Sequence, residues 1–166
     1  MKKIYLIRHA KSSWDNPELR DFDRPLAKKG IKAAKKMGKY ILDTGINPDL
    51  VLCSPAARTR QTLDILNKQA KLEKELRYLD FIYSSDETDL LQYIQKQLNS
   101  EGSVMIVGHN PTMIMLTEII SGQEFPYKKF STGSMAVLKL DIDNWIDIVG
   151  AKGELQSFIR AKDLKD

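Results

Sequence analysis

Three short apolar runs, each closed by a polar cluster and followed by a stretch of helical period, constrain the fold most: Lys3 to Ile7, Asp49 to Cys53 and Ser103 to Val107. Runs this continuous in Ile, Leu and Val, with no polar alternation, fit strands covered on both faces. Helical connections between them predict a parallel sheet with crossovers. The first helix is expected from about Ala27 to Asp43, with Ile31, Ala34, Met37, Ile41 and Leu42 on one stripe, lysines opposite, and Gly45 at its end. Further helices are expected over Ala57 to Gln69, over Asp86 to Leu98, and from near Pro111 to Ile120. Met135 to Leu140 and Trp145 to Val149 read as an antiparallel pair turning at Asp143 and Asn144. No repeat or long linker interrupts the pattern, and 166 residues, 42% of them hydrophobic, suit one domain with one core.

Composition excludes several classes. Cys53 is the only cysteine, so no internal disulfide forms, and no Cys and His cluster has zinc-site spacing. Arg8 cuts off the apolar start too early for a signal-peptide core, which points to a cytoplasmic protein. The longest uncharged run, Gly102 to Thr117, is 16 residues with His109, Asn110 and Pro111 inside it, short of the roughly 20 apolar residues of a spanning helix. No membrane partner is expected. Residues 1–40 carry 12 Lys and Arg against 4 Asp and Glu. Such a field attracts anions, but Lys28, Lys32, Lys35, Lys36 and Lys39 fall where a helix faces water. Without interleaved aromatics or a nucleic-acid motif, nucleic acid is not the expected partner.

Open α/β sheets bind ligands outside the carboxyl ends of their strands. Three polar clusters fall there: Arg8 and His9, Ser54 to Thr62, and Gly108, His109 and Asn110. A lone histidine in such a place is more often structural, but His9 and His109 are the only two in the chain. Their pairing at one sheet edge with arginines shifts the balance toward chemistry. Arg58 falls on the first turn of the second helix, with Thr62 one turn on, whereas Arg60 faces water. The arginine fork donates two hydrogen bonds to two oxygens and stays charged, so two arginines, two histidines and free amides at two helix starts suit a phosphate dianion. The cations would keep His9 unprotonated, a carbonyl would fix its tautomer, and its free nitrogen would attack phosphorus. Donors from Arg8, Arg58 and His109 would then do the work of a metal, so neither metal nor cofactor is expected. Cys53 reads as a small buried strand residue and Trp145 as core.

These residues fall in four segments: RHAKSSWD at 8–15, RPLAKKG at 24–30, SPAARTRQT at 54–62 and GHN at 108–110. In that order they resemble the histidine phosphatase superfamily, also called phosphoglycerate-mutase-like, and are most similar to its small phosphohistidine phosphatase branch. The resemblance implies a three-layer α/β/α sandwich with a mainly parallel sheet and an antiparallel edge. It also implies transient phosphorylation of His9, with Arg8 and Arg58 holding the phosphate and His109 completing the pocket. Ser12 and Asn110 rank next as phosphate or substrate contacts, and Trp14 either lines the substrate mouth or packs as a loop anchor. The sequence departs from the family in having Ala10 where Gly is common, Lys11 where Glu is common, and Asp15 where mutase-like members often place a phosphate-binding Asn. Asp86 and Glu87 are the candidate proton donors, although both also suit the start of a helix. A weak donor fits phosphohistidine, whose imidazole leaves more readily than an alkoxide. The expected substrate is a phosphorylated protein or a small phosphate ester. The alternatives are a small-molecule phosphomonoesterase or mutase, and a phosphate-binding module without turnover.

Overall fold

The computed structural model describes residues 1–72, 74–84, 87–97, 99–150 and 152–166. Among them, six strands form one sheet in the order β3-β2-β4-β1-β5-β6: β1 (Lys2–Arg8), β2 (Leu50–Cys53), β3 (Glu75–Tyr78), β4 (Ser103–Gly108), β5 (Met135–Leu140) and β6 (Gly153–Ile159). β1, β2, β3 and β4 run parallel, and β5 and β6 add the antiparallel edge. The helices are α1 (Lys28–Asp43), α2 (Ala57–Ala70), α3 (Asp80–Ser84), α4 (Glu87–Gln95) and α5 (Thr112–Ser121). Alternate strand residues point to opposite faces and build two cores. Ile4, Leu6, Leu52 and Ile106 pack with Leu90 and Ile94 of α4 and Leu116 of α5. Tyr5, Ile7, Val51 and Val107 pack with Met37 of α1 and Leu66 of α2 on the other side. The result is the expected α/β/α sandwich. No helix among the described residues is long and apolar enough to cross a membrane.

The central parallel strands fall where the apolar runs place them. Helix α1 ends at Gly45, whose φ of 71° lets its N–H reach Leu42 O and the Ile46 N–H reach Ile41 O. Its buried face differs from the expected stripe. Gly30, Ala34, Met37, Gly38 and Ile41 are buried, whereas Ile31 and Leu42 are exposed. The cause is close approach: a Cβ at Gly30 would lie 2.1 Å from Lys11 O, and one at Gly38 would lie 2.7 Å from Gln69 Cβ. The helix turns its two small residues inward, so Ile31 and Leu42 rotate out.

Two other elements depart from expectation. Trp145 to Val149 is no strand; Trp145–Asp147 is a 3-10 turn. A strand would put Trp145, Asp147 and Val149 on one face, whereas the turn buries Trp145 and Ile148 together. The Trp145 N–H donates to Asn99 Oδ1 at 2.9 Å and its indole N–H to Glu101 O at 2.8 Å. β6 partners β5 instead. The helix expected over Asp86 to Leu98 is present as α4, with the short α3 before it; its two end residues lie outside the described residues.

Gly30 sets how closely α1 sits on the loop that follows β1. Gly30→Ala is expected to cost about 1–3 kcal/mol through overpacking against backbone, read as a fall of roughly 3–10 °C in Tm by calorimetry. An unchanged Tm would show that the helix moves without penalty.

Candidate active site

Strand register assembles the site. In the parallel pairing of β1 with β4, Arg8 stands opposite Gly108, so His9 and His109 emerge side by side. Their ring centroids are 5.3 Å apart, and the His9 N–H donates to Gly108 O at 3.0 Å. On the other side of β4, Cys53 of β2 is opposite Val107, which brings Ser54 to the same edge, its Oγ 2.8 Å from His109 Nε2. Helix α2 then starts, and Arg58 on its first turn is 8% exposed. Arg8, His9, Arg58 and His109 thus line one cavity of about 350 Å³. Ser12, Trp14 and Asn110 line it too, as do Lys11, Arg24 and Thr132.

One hydrogen bond orients the His9 ring. Its Nδ1 lies 2.7 Å from Ala10 O, a pure acceptor, so Nδ1 carries the proton and Nε2 keeps its lone pair. The Ala10 N–H donates to Thr62 Oγ1 at 3.0 Å, and that hydroxyl donates to Arg58 O at 2.7 Å, tying the loop to α2. Lys71 is the only described non-glycine residue with positive φ, so Ala10 needs no left-handed backbone. Burial lowers the pKa of His9 to about 4; Arg58, Arg8 and Arg24 push it the same way against the pull of the Ala10 carbonyl. Burial, more than the cations expected to do so, keeps this ring neutral. His109 is lowered to about 3, by burial first and then by Arg58 and His9. Burial and Arg58 also lower Arg8 from its ordinary value.

Three side-chain atoms of this pocket are buried without a hydrogen-bond partner among the described residues: two donors, Arg8 Nε and His109 Nδ1, and one acceptor, Asn110 Oδ1. Each side chain is otherwise anchored. Arg8 Nη1 donates to Phe130 O at 2.9 Å, an oxygen that also accepts from Asn110 Nδ2 at 2.9 Å. Ser54 Oγ is fully buried and accepts from the Ala56 N–H at 3.3 Å; His109 Nε2 at 2.8 Å is the one acceptor among the described residues within reach of its own proton, which therefore points there. The neutral His109 ring then carries its proton on Nδ1, a buried donor with no partner among the described residues. The amides expected free at two helix starts are in part used: Ala56 N–H by Ser54, and Met113 N–H by His109 O at 3.2 Å.

Several site residues escaped the sequence reading. Arg24 is 7% exposed, and its guanidinium lies 3.2 Å from the centre of the Trp14 ring, which is 74% exposed. It donates from Nη2 to Ser12 Oγ at 2.7 Å and from Nε to Ser13 O at 3.1 Å. Ser12 and Trp14 therefore hold Arg24 at the rim. Asp21, in the 3-10 turn Asp21–Asp23, accepts from both Nη atoms of Arg58, at 2.8 Å on its carbonyl and 3.0 Å on its carboxylate. The Tyr83 hydroxyl donates to the same carboxylate oxygen at 2.8 Å, and its ring stands edge-on to His109. Partial burial works to raise the Asp21 pKa, but hydrogen bonds from Tyr83 and Arg58 hold it below the ordinary range. The Arg in RPLAKKG was a usable signal for Arg24; Asp21 and Tyr83 carried none.

Of the candidate proton donors, Glu87 opens α4 and does not line the cavity, and Asp86 lies outside the described residues. Asp15 is exposed and also outside the lining. Burial pushes the Cys53 thiol well above its ordinary pKa, as suits an inert core residue.

Residues 4–82 match the family model for the histidine phosphatase superfamily, branch 1. The crystal structure of the provisionally assigned phosphohistidine phosphatase SixA from Agrobacterium tumefaciens superposes with a TM-score of 0.82 at 34% identity, covering 95% of this chain and 97% of that one. An uncharacterised chloroplast protein of Arabidopsis thaliana is 31% identical over 161 residues, 92% of this chain and 72% of its own. The Escherichia coli phosphohistidine phosphatase SixA is 25% identical over 142 residues, 84% of this chain and 86% of its own.

With two histidines in the chain, ring nitrogen-15 spectra are assignable from single variants. Both rings are expected neutral at pH 5.5, where an ordinary imidazole would be about nine-tenths protonated, and both protonated on Nδ1. Ser54→Ala is expected to leave His9 unchanged and release His109 into a tautomer mixture. An Nε2–H signal for His109 in the unaltered protein would overturn the assignment.

Proposed function

This chain belongs to the histidine phosphatase superfamily, and on that footing we propose that it hydrolyses a phosphorylated substrate through a phosphohistidine formed on His9, with protein phosphohistidine as the preferred substrate. The observation that carries this reading is the conjunction of a neutral His9, its Nε2 lone pair free, with two buried unpartnered donors, Arg8 Nε and His109 Nδ1. Lone donors beside cations call for an anion. A ring with its lone pair free suits attack on that anion.

His9 Nε2 attacks phosphorus, the bond to the substrate's nitrogen or oxygen breaks, and the leaving group takes a proton from water. Water then attacks phospho-His9, breaks the N–P bond, restores the neutral ring and releases inorganic phosphate. Nδ1–H stays on Ala10 O throughout and holds the ring in line. Arg8, His109 and Arg58 offer donors to the equatorial oxygens, each contributing on the order of 3 kcal/mol at the transition state. Those donors carry the charge that a divalent ion neutralises in other phosphoryl-transfer sites.

Leaving-group chemistry favours phosphohistidine. Among the described residues lining the cavity there is no carboxylic acid, and the neighbouring Asp21 is held ionised by its partners. An alkoxide leaves slowly without an acid, whereas imidazole is a far weaker base and needs little help.

Acid-labile label from a phosphorylated substrate is expected on His9 alone, and His9→Ala is expected to abolish turnover while phosphate still binds. Label elsewhere, or turnover surviving in His9→Ala, would refute the mechanism. The rate kcat/KM on a small phosphoramidate should exceed that on an alkyl phosphate by at least about tenfold and be insensitive to EDTA. Because the His9 pKa is lowered, the unprotonated ring persists from neutral pH down and is lost only as pH falls through about 4. Loss of kcat/KM centred near pH 6.5, after correction for spontaneous hydrolysis, would contradict this.

A further inference from the structure

Beside the active-site cavity lies a second one of about 380 Å³, and we propose that it docks an acidic segment of the phosphorylated protein, next to the residue whose phosphate enters the first. The inference rests on the reading of the first cavity as a phosphatase site. Lys11, Lys29, Lys32, Lys36 and Lys162 line this groove, and no carboxylate does. Lys11 and Thr132 line both cavities, so a ligand can run from one into the other.

Three observations point to carboxylates on an extended chain. The Asp166 carboxylate already sits on these lysines, 2.9 Å from Lys36 Nζ and 3.6 Å from Lys32 Nζ. Lys11, Lys29 and Lys162 have no acidic partner among the described residues. Lys29, Lys32 and Lys36 fall on successive turns of one face of α1 and span roughly 10 Å, about the length of three residues of extended chain. The floor is formed by Ala33 and Ala161, with no aromatic ring on which a base would stack. The groove therefore fits side-chain carboxylates of a polypeptide better than a nucleic acid.

The test uses fluorescent peptides carrying a non-hydrolysable phosphohistidine analogue flanked by four glutamates or by four serines, with binding read by anisotropy. At low salt the glutamate peptide is expected to bind about tenfold tighter, the combined size of a few exposed ion pairs, and the difference should shrink at high salt. At physiological ionic strength K29E/K32E/K162E should erase the difference and change the serine peptide's Kd far less than the glutamate peptide's; K29Q/K32Q/K162Q repeats the measurement if charge reversal impairs folding. Equal Kd values in the unaltered protein, a preference that survives the substitutions, or stronger displacement by a short single-stranded oligonucleotide than by a glutamate peptide would overturn the proposal. If the protein fails to turn over a small phosphoramidate, the phosphatase reading falls, while the two Kd values still decide whether the groove holds acidic chain.

Discussion

One alignment of backbone hydrogen bonds, the register of β1 against β4, determines where everything at the site can be. Arg8 opposite Gly108 is the last paired step, and the two imidazoles leave the sheet together immediately after it. Slipping the pairing by one residue would turn alternate side chains to the wrong face, exchanging Ile4 and Leu6 for Tyr5 and Ile7 in two different cores. The cores therefore hold the register, and the register holds the chemistry. The β2–β4 pairing repeats the device by delivering Ser54 beside His109.

Burial within that frame decides protonation. Two imidazoles enclosed with Arg8, Arg24 and Arg58 cannot both stay near their ordinary pKa, and both are driven down, chiefly by loss of water. Neutral rings have one donor and one acceptor each, so orientation becomes everything. The Ala10 carbonyl turns His9 into an acceptor toward the cavity, while the Ser54 hydroxyl turns His109 into a donor. Equal residue types in equal positions thus receive opposite roles from one neighbouring oxygen each. Asp21 balances part of the arginine charge by occupying both Nη atoms of Arg58, which fixes that side chain at the rim.

How much of this was legible follows from what each residue touches. Strands buried on both faces announce themselves by unbroken apolar runs, and β1, β2 and β4 were readable for that reason. β3 is a short edge strand with Leu76 and Tyr78 exposed, and β6 meets β5 across an irregularity at Val137 and Leu138, so neither shows a clean period of two. Trp145 is core as expected, but the strand expected from it is a turn, because its hydrogen bonds run to Asn99 and Glu101, far away in sequence. His9, His109, Arg8 and Arg58 were readable because strand ends and a helix first turn are local features. Arg24 stood in a legible motif, but its place at the rim depends on Ser12 and Trp14; Asp21 and Tyr83 reach the site only through contacts with Arg58 and His109, which no local pattern encodes.

Lys28, Lys32, Lys35 and Lys39 of the basic first 40 residues are exposed as expected, while other cations of that segment are placed by the fold. Arg8 and Arg24 enter the active-site cavity, and Lys2 caps the carbonyl oxygens of Asn99 and Glu101. Arg20 and Lys39 pair with Asp23 and Asp43. What remains on α1 gathers largely along the groove. Lys29, Lys32 and Lys36 follow one another along the groove, roughly 10 Å from first to last. A carboxylate above one end is therefore largely screened from the lysine at the other at physiological ionic strength, where the screening length is about 8 Å. Two cavities joined at Lys11 and Thr132 can thus divide recognition between a dianion on one side and the chain that carries it on the other.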